Sequence, residues 1–153
     1  MSRTVLFPGS FDPFTIGHAA LVGRALQLFD TVVVAIGYNE QKTGWQPVTE
    51  RVAAIEQLYK NEPRVKVLAY SGLTTEIAAK IGAVAILRGV RTMHDYEYEQ
   101  QMAAVNRQLT GIETVLLFAD PQLAHISSSI VRELAHFGQD IREFLPSLTN
   151  ITI

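Results

Sequence analysis

The chain has 153 residues, of which 48% are hydrophobic, and its 13 basic and 15 acidic side chains leave a formal net charge of −2. That length suits one domain over residues 1–153, and the small net charge argues against nucleic acid or an anionic membrane as a partner. Cysteine is absent, which excludes disulfides, zinc–thiolate sites and a cysteine nucleophile. Since neither a signal peptide nor a bilayer-spanning apolar run is visible, we expect a cytoplasmic protein.

Short apolar runs, rich in β-branched residues, alternate along the chain with stretches of helical periodicity. The runs predict five strands, at Val5–Phe7, Val32–Gly37, Val65–Tyr70, Val84–Leu87 and Thr114–Phe118. Because these runs are continuously apolar rather than alternating, they are typical of parallel strands that are covered on both faces.

Apolar residues at helical spacing predict helices between and after these strands. In chain order the apolar stripes are Leu21, Val22, Ala25, Leu26 and Phe29; Val52, Ile55, Leu58 and Tyr59; Tyr98, Met102, Val105 and Leu109; and Ile130, Val131, Leu134 and Phe137. Thr49 is predicted to cap the second helix, Ser127–Ser129 to begin the last, and Thr74–Ile81 to form a shorter helix. This alternation predicts a Rossmann-like α/β fold, a doubly wound five-stranded parallel sheet with helices on both faces.

The loops that follow the five predicted strands carry a concentration of polar and basic residues. In chain order they read PGSFDPFTIGH, YNEQKTG, SGLTTE, RGVR and ADPQLAHISSS. Ligands of doubly wound sheets bind beyond the carboxyl ends of the strands. We therefore expect these loops to surround a common site.

The segment TIGH, which ends on His18, is the first candidate for chemistry. A helix that begins near Gly17 would present free backbone N–H groups and its dipole to an anion, with His18 in its first turn. The alternative is that Pro8, Gly9, Pro13 and Gly17 only shape a tight turn, and that His18 is a surface residue. No second histidine stands at metal-ligand spacing, so a histidine metal site is not predicted.

Two further segments offer groups that suit phosphate. LRGVR places Arg88 and Arg91 at a strand end, where guanidinium groups can make bidentate phosphate contacts. The alternative is that both arginines are solvated and paired with acidic residues of the next helix, namely Asp95, Glu97 or Glu99. The segment ISSS offers three hydroxyls at a helix start, more than ordinary capping needs. Considered alone, Lys42 is an ordinary solvated charge and Glu99 an ordinary surface carboxylate.

Together these features point to one kind of ligand. Two helix N-termini, two arginines and Lys42 are all predicted at one edge of the sheet, an arrangement that suits a polyphosphate. The chain has no carboxylate pair and no serine–histidine–acid triad at plausible positions, and it carries neither a Walker A sequence nor a GxGxxG fingerprint.

Three motifs carry a resemblance to known proteins. PGSFDPFTIGH resembles the (H/T)xGH signature of the nucleotidyltransferase superfamily, and ISSSIVRE resembles its C-terminal nucleotide-binding motif. RGVRTMHDYEYEQQMAAVNR, together with FLP at residues 144–146, is similar to the bacterial phosphopantetheine adenylyltransferase family, and the similarity runs from Val5 to about Pro146. The resemblance implies that ATP and 4′-phosphopantetheine give dephospho-coenzyme A and pyrophosphate. It also implies Mg²⁺, coenzyme A as a feedback inhibitor and a homohexamer.

The same resemblance implies roles for residues of this chain, motif by motif. It implies that the catalytic residues are His18, Lys42 and Arg91. It implies ATP contacts at Ser10, Phe11, Gly17, His18, Gly89, Val90, Arg91, Glu99, Ala124, His125, Ile126, Ser127, Ser128, Ser129 and Ile130. It implies contacts with 4′-phosphopantetheine at Ser10, Lys42, Thr74 and Arg88, and no protein ligand to a metal.

For this reaction we expect direct displacement at the α-phosphorus without a covalent intermediate, so that catalysis comes from positioning and electrostatic stabilisation. His18 is expected to donate a hydrogen bond to the α-phosphate in the pentavalent state. Lys42 is expected to neutralise charge between the donor and acceptor phosphates. Arg91 and the helix start at Ser127–Ser129 are expected to hold the β- and γ-phosphates.

Three features depart from the family pattern. Lys42 lacks the basic neighbour common in relatives, Thr74 replaces a larger apolar residue, and the tail of residues 147–153 is shorter than the usual C-terminal helix and is expected to be loose. The rival interpretations are another transferase of the superfamily, such as a nicotinamide-mononucleotide adenylyltransferase or a cytidylyltransferase, and a non-catalytic nucleotide-binding regulator.

Overall fold

The computed structural model describes residues 1–151. In chain order its elements are β1 (Thr4–Gly9), α1 (Ile16–Ala25), β2 (Thr31–Gly37), α2 (Val48–Leu58), β3 (Val65–Tyr70), α3 (Thr74–Lys80), β4 (Ala85–Val90), α4 (Met93–Thr110), β5 (Glu113–Phe118), α5 (Ser128–His136) and a short 3-10 helix at Arg142–Phe144. Within this described part of the chain, no helix combines the length and the apolar character that crossing a membrane requires.

The five strands form one parallel sheet in the order β3-β2-β1-β4-β5. The chain builds outward from β1 through β2 to β3, then returns to the other side of β1 for β4 and β5. This confirms the predicted Rossmann-like, doubly wound sheet. The direction of winding reverses between β1 and β4, which is where such sheets bind ligands.

Each face of the sheet is covered by its own group of helices. Val5 and Phe7 of β1 belong to an apolar cluster that also contains the inner residues of α1 and α2. Leu6, between them, belongs to a second cluster on the opposite face, with Ala78 of α3. All three β1 residues are at most 3% exposed. Strand β1 therefore lies at the centre of the molecule, and its carboxyl end leads directly into the loop that carries TIGH.

Several local predictions need correction. Strand β1 continues through Pro8 and Gly9, which pair with Ala35 and Ile36 of β2. Helix α2 follows Pro47 and has no side-chain cap, so the prediction that Thr49 caps it is wrong. Proline suits a helix start because its missing N–H needs no partner there and its fixed backbone angle is helical.

The apolar stripe predicted on α4 is present in the structure, but it does not face a core of this chain. Tyr98, Met102, Val105 and Leu109 are between 38% and 61% exposed, and Glu99 is the buried residue of the helix. Helical periodicity shows that a helix has an apolar face, whereas it does not show which surface covers that face.

The described part of the C-terminal tail makes local contacts, and the expectation that the tail is loose stays a prediction. Ser147 and Asn150 close a turn, in which the Ser147 N–H donates to Asn150 Oδ1 at 2.6 Å. Ile151 then packs against the cluster that contains α1 and α2. Thr152 and Ile153 lie outside the described residues.

Candidate active site

A cavity opens between β1 and β4, at the reversal point of the sheet. These two strands pair only at Val5–Ala85 and Leu6–Ile86, whereas β1 and β2 pair along all six residues of β1. Beyond Leu6 the two strands separate, and the carboxyl half of β4 pairs with β5 alone. The resulting cavity has a volume of about 310 Å³. The separation of two central strands therefore creates the space for a ligand.

Most of the residues predicted to bind ATP line this cavity. They are Ser10, Phe11, Gly17, His18, Gly89, Arg91, Glu99, Ile126, Ser127, Ser128 and Ser129, and Arg88 joins them from the predicted acceptor contacts. These residues come from four parts of the sequence, and the carboxyl edge of the sheet brings them together.

Helix α1 points its N-terminus at the cavity through a capping box. Thr15 is the N-cap, and its Oγ1 accepts the His18 N–H at 3.4 Å. The Thr15 N–H in turn donates to Nδ1 of His18 at 2.9 Å. The backbone N–H groups of Ile16 and Gly17 have no partner within residues 1–151. These two groups are donors for an anion at the positive end of the helix.

The ring of His18 is held by aromatic neighbours. It stacks on Phe14 with centroids 5.4 Å apart and meets Phe11 edge-on at 5.0 Å. Burial, together with the smaller effects of the positive charges of Arg91 and Arg88, lowers the pKa of His18 from 6.5 to about 4. At neutral pH the imidazole is uncharged. Because Nδ1 accepts the Thr15 N–H, the ring proton resides on Nε2, which is a hydrogen-bond donor.

Phe11, which packs against the ring of His18, has an unusual backbone conformation. It has φ of +47°, a left-handed conformation that a bulky side chain adopts only when its surroundings hold it. Its ring is 3% exposed and lies so close to Gly9 that a Cβ at residue 9 would be 2.9 Å from it. Gly9 is therefore required for the close packing of the Phe11 ring on the end of β1.

Arg88 is fixed by three hydrogen bonds. Its Nε and Nη2 donate to the two oxygens of Glu99 at 2.9 and 2.8 Å, and its Nη1 donates to the carbonyl of Pro8 at 2.9 Å. Glu99 is 6% exposed, whereas the Arg88 side chain is 32% exposed, so the carboxylate is withdrawn from water while the guanidinium group stays accessible. Both Glu99 oxygens are used by Arg88, which makes Glu99 a support for the arginine, and its predicted contact with the nucleotide stays a prediction.

Arg91 is less tightly held. Its Nε lies 3.6 Å from Asp95 Oδ2, and the same oxygen accepts the Arg91 backbone N–H at 3.1 Å. The alternative that both arginines pair with α4 acids thus describes the structure correctly. It does not remove them from the cavity, since both arginines line it.

Helix α5 supplies the second helix N-terminus. Ser127 is the N-cap and accepts the Ile130 N–H on its Oγ at 3.2 Å. The backbone N–H groups of Ser128 and Ser129 have no partner among the described residues. Ser128 Oγ donates to the carbonyl of Pro13 at 2.8 Å, which ties α5 to the loop of His18. Ser127 therefore caps the helix, the Ser128 side chain ties it to the loop, and the backbone N–H groups of Ser128 and Ser129 are left as donors.

The other predicted residues do not line this cavity. Four of them are close in sequence to residues that line it, namely Val90, Ala124, His125 and Ile130. Lys42 occupies an exposed turn that follows β2. Thr74 lies in an adjoining cavity of about 280 Å³, which shares Pro8, Arg88 and Glu99 with the first. There, Thr74 Oγ1 is 2.8 Å from the hydroxyl of Tyr70.

Sequence reasoning missed the residues that hold the loop of His18 in place. Asp12, within the loop that leads to His18, and Arg51 of α2 are both buried, and Arg132 of α5 donates to the Asp12 carbonyl at 2.8 Å. The Asp in GSFDP is visible in the sequence, but its partners are 33 or more residues away, so local spacing gives no signal for them.

The cavity offers few ligands to a metal ion. Within residues 1–151, no three histidine, cysteine, aspartate or glutamate side chains are grouped so as to hold one. The two carboxylates of the cavity, Asp95 and Glu99, already pair with arginines. Mg²⁺ in phosphate chemistry commonly takes its oxygens from substrate phosphates and water with one or two carboxylates, so these residues do not form a dedicated cage.

Comparison with known proteins points to nucleotidyltransferases. The family model described as Cytidylyltransferase-like matches residues 6–134. The phosphopantetheine adenylyltransferase of Phocaeicola vulgatus is 55% identical over 144 residues, 94% of this chain and 95% of the relative. That of Bacteroides thetaiotaomicron is 49% identical over 144 residues, again 94% and 95%.

A solved structure agrees with the fold. A bifunctional NMN adenylyltransferase/ADP ribose pyrophosphatase from Francisella tularensis superposes with a TM-score of 0.71, over 97% of this chain and 46% of that one. At 15% identity, this likeness concerns the fold alone. The sequence relatives carry the assignment: the chain belongs to the phosphopantetheine adenylyltransferase family of nucleotidyltransferases.

Proposed function

We propose that this protein transfers the adenylyl group of ATP to 4′-phosphopantetheine. An oxygen of the acceptor phosphate forms a bond to the α-phosphorus as the bond from that phosphorus to the β-phosphate bridging oxygen breaks. The products are dephospho-coenzyme A and pyrophosphate, and the electron pair of the broken bond leaves with pyrophosphate. The enzyme forms no covalent intermediate.

One observation carries the proposal. The N-termini of α1 and α5 open on the same cavity as Arg88, Arg91 and the ring of His18. Partnerless N–H groups at two helix starts, together with two guanidinium groups, suit a chain of phosphates rather than a single small anion. Thr15 Oγ1 lies 3.1 Å from His18 Nδ1, but Thr15 is 1% exposed and its hydroxyl caps α1. It is therefore placed to begin the helix rather than to attack a substrate, which fits direct displacement.

His18 is proposed to act as a neutral donor. Charge grows on the non-bridging oxygens of the α-phosphate as the pentavalent state forms, and a donor aimed at that position stabilises it. The Nε2–H of His18 is the free donor of the ring, since Nδ1 is occupied by Thr15. Arg91 and the start of α5 are proposed to hold the β- and γ-phosphates.

Lys42 has a different place in the proposal. Its turn lies outside the cavity in the structure, and its long side chain is proposed to reach over the entrance to the reacting phosphates when both substrates are bound. There it would neutralise charge shared by donor and acceptor.

The acceptor is proposed to lie across both cavities. Arg88 lines the first cavity and the adjoining one, and it is proposed to hold the acceptor phosphate together with Ser10. The adjoining cavity contains Thr74 and is otherwise largely apolar, with Tyr98 and Met102 of α4 among its lining. An elongated arm of mixed polarity suits such a surface.

Four accompanying features are also proposals. Mg²⁺ is assigned to the triphosphate of ATP as part of the substrate, where it neutralises phosphate charge. Coenzyme A, which carries both the arm and the nucleotide, is proposed to compete for the same cavities as a feedback inhibitor. The exposed apolar stripe of α4 supports assembly, which we propose to be a homohexamer. The cytoplasmic location stays a prediction.

The test is a comparison of acceptors. The protein is incubated with ATP, Mg²⁺ and either 4′-phosphopantetheine, nicotinamide mononucleotide or glycerol phosphate, and pyrophosphate is followed. Of the three acceptors, we expect only 4′-phosphopantetheine to give release of pyrophosphate. Release with nicotinamide mononucleotide instead would indicate another transferase of the superfamily, and ATP binding without release by folded protein would indicate a regulator.

A further inference from the structure

A buried ion pair joins two loops that approach the cavity from different strands. Asp12 lies in the loop between β1 and α1, and Arg51 lies in the first turns of α2. Their side chains are 9% and 7% exposed, and Arg51 Nε is 3.9 Å from Asp12 Oδ1. Burial of an ion pair costs desolvation free energy, and removal of one partner leaves the other charge buried without compensation.

Asp12 binds the loop that leads from β2 to α2. Its Oδ2 accepts the Trp45 N–H at 2.7 Å and its Oδ1 accepts the Gln46 N–H at 2.9 Å. Trp45 follows Lys42 by three residues. The carboxylate thus fixes the C-terminal end of the segment that carries the lysine, from within the loop that carries His18.

Arg51 completes the connection from the other direction. Its Nη1 donates to the carbonyl of Ser10 at 2.7 Å, and its Nε donates to the carbonyl of Gln46 at 3.0 Å. One guanidinium group therefore holds both loops. Ser10 is the residue proposed to contact the acceptor phosphate, so the same contacts bear on both sides of the reaction.

Gly44 shows how closely the lysine segment approaches this pair. A Cβ at residue 44 would lie 2.6 Å from Asp12 Oδ2 and 3.1 Å from Arg51 Nη2. A side chain there would displace the Asp12 carboxylate or the loop itself. Gly44, two residues after Lys42, thus packs directly against the ion pair.

We propose that Asp12 and Arg51 are positioning residues that lock the segment carrying Lys42 to the loop that carries Ser10 and leads into His18 at the start of α1. This inference rests on the proposed function for the role of Lys42, while the lock itself is a property of the fold. Neither residue contacts the reacting atoms. They act by setting where the Lys42 ammonium stands relative to His18.

Trp45 provides a readout of the lock that needs no activity, because it is the only tryptophan of the chain. In Asp12→Asn the amide retains one acceptor oxygen, and its NH₂ faces a backbone N–H that needs an acceptor. We expect acrylamide to quench Trp45 fluorescence more strongly in Asp12→Asn, and also in Gly44→Ala, than in the wild-type protein.

Asp30→Asn is the matched control. Asp30 accepts the Arg3 N–H at 2.7 Å and lies 3.9 Å from Arg3 Nε, at the opposite end of the sheet. Its loss should leave both quenching and turnover unchanged. Gly44→Ala keeps both charges of the pair, so it carries the test if Asp12→Asn does not fold.

Turnover tests the connection to Lys42. We expect Asp12→Asn to lower kcat by about 10- to 100-fold, as displacement of a catalytic group does. In a Lys42→Ala background, Asp12→Asn should lower kcat by less than about two-fold. The effects of two substitutions are not additive when one residue acts through the other.

Two results would overturn the proposal: unchanged Trp45 quenching in both lock variants, or the same loss of kcat from Asp12→Asn with and without Lys42. If the wild-type protein releases no pyrophosphate with 4′-phosphopantetheine, the proposed function fails instead. The quenching comparison still decides whether the lock exists.

Discussion

The backbone N–H of Thr15 donates a hydrogen bond to Nδ1 of His18 across 2.9 Å. This contact closes the capping box of α1, and it also decides which nitrogen of the ring carries the proton. Since Nδ1 is an acceptor here, Nε2 is the donor. A local device for starting a helix therefore also prepares the side chain proposed to stabilise the transition state.

His18→Gln and His18→Ala together separate these two functions. Glutamine is a usual partner in a capping box, so its Oε1 can accept the Thr15 N–H and the fold should be retained. Glutamine also carries an amide N–H donor, so it tests the cap, whereas His18→Ala removes the donor. For His18→Ala we expect kcat to fall by about 10²- to 10³-fold, with a change in the KM for ATP of less than about three-fold. Steady-state kinetics measure both, and circular dichroism checks the fold. An unchanged kcat would remove His18 from the mechanism.

The lowered pKa of His18 predicts a pH dependence of stability. Between pH 6.5 and about 4 the unfolded chain binds a proton at residue 18, whereas the folded chain does not. Stability contributed by the neutral ring is therefore present above pH 6.5 and is lost as the pH falls through this window. The Tm of the wild-type protein should fall more between pH 7 and pH 5 than that of His18→Gln. Equal decreases would contradict the assignment.

Glu99→Gln tests the support of Arg88. The amide can no longer accept both guanidinium N–H groups as a carboxylate does, so we expect stability to fall by about 1–3 kcal/mol. A less fixed Arg88 should raise the KM for 4′-phosphopantetheine more than the KM for ATP. Glu97→Gln, on the exposed surface of the same helix, is the matched control. Equal effects of the two substitutions would mean that the Arg88–Glu99 pair has no special role.

Val105→Glu tests assembly. Val105 is 47% exposed on the apolar stripe of α4, and a charge there is expected to be costly if a second copy covers it. Light scattering after size-exclusion chromatography should show a hexamer for the wild-type protein and a smaller species for Val105→Glu. A monomeric wild-type protein would contradict the proposed assembly.

The sheet could be predicted from the sequence because continuous apolar runs and helical stripes are local signals. The same is true of the convergence of TIGH, RGVR and SSS, since parallel strands place every strand-ending loop at one edge. The apolar stripe of α4 was also read correctly as a stripe. Its exposure could not be predicted, because periodicity is a property of the helix and burial is a property of its neighbours.

The orientation of the site residues required the structure. The Thr15–His18 contact depends on a side chain turning back to its own helix start, and histidine is not the usual residue for that contact. The lock of Asp12 on Trp45 and Gln46 spans more than 30 residues and involves mostly backbone groups, which carry no sequence signal. Nor did the sequence show whether Glu99 serves the nucleotide or Arg88.

In the proposed reaction, both substrates meet in one cavity and react directly. The most direct measurement uses ATP with a chiral phosphorothioate at the α-phosphorus and determines the configuration of the dephospho-coenzyme A formed. A single in-line displacement predicts inversion at phosphorus. Retention would show two displacements through a covalent adenylyl-enzyme, and would contradict direct transfer between the substrates.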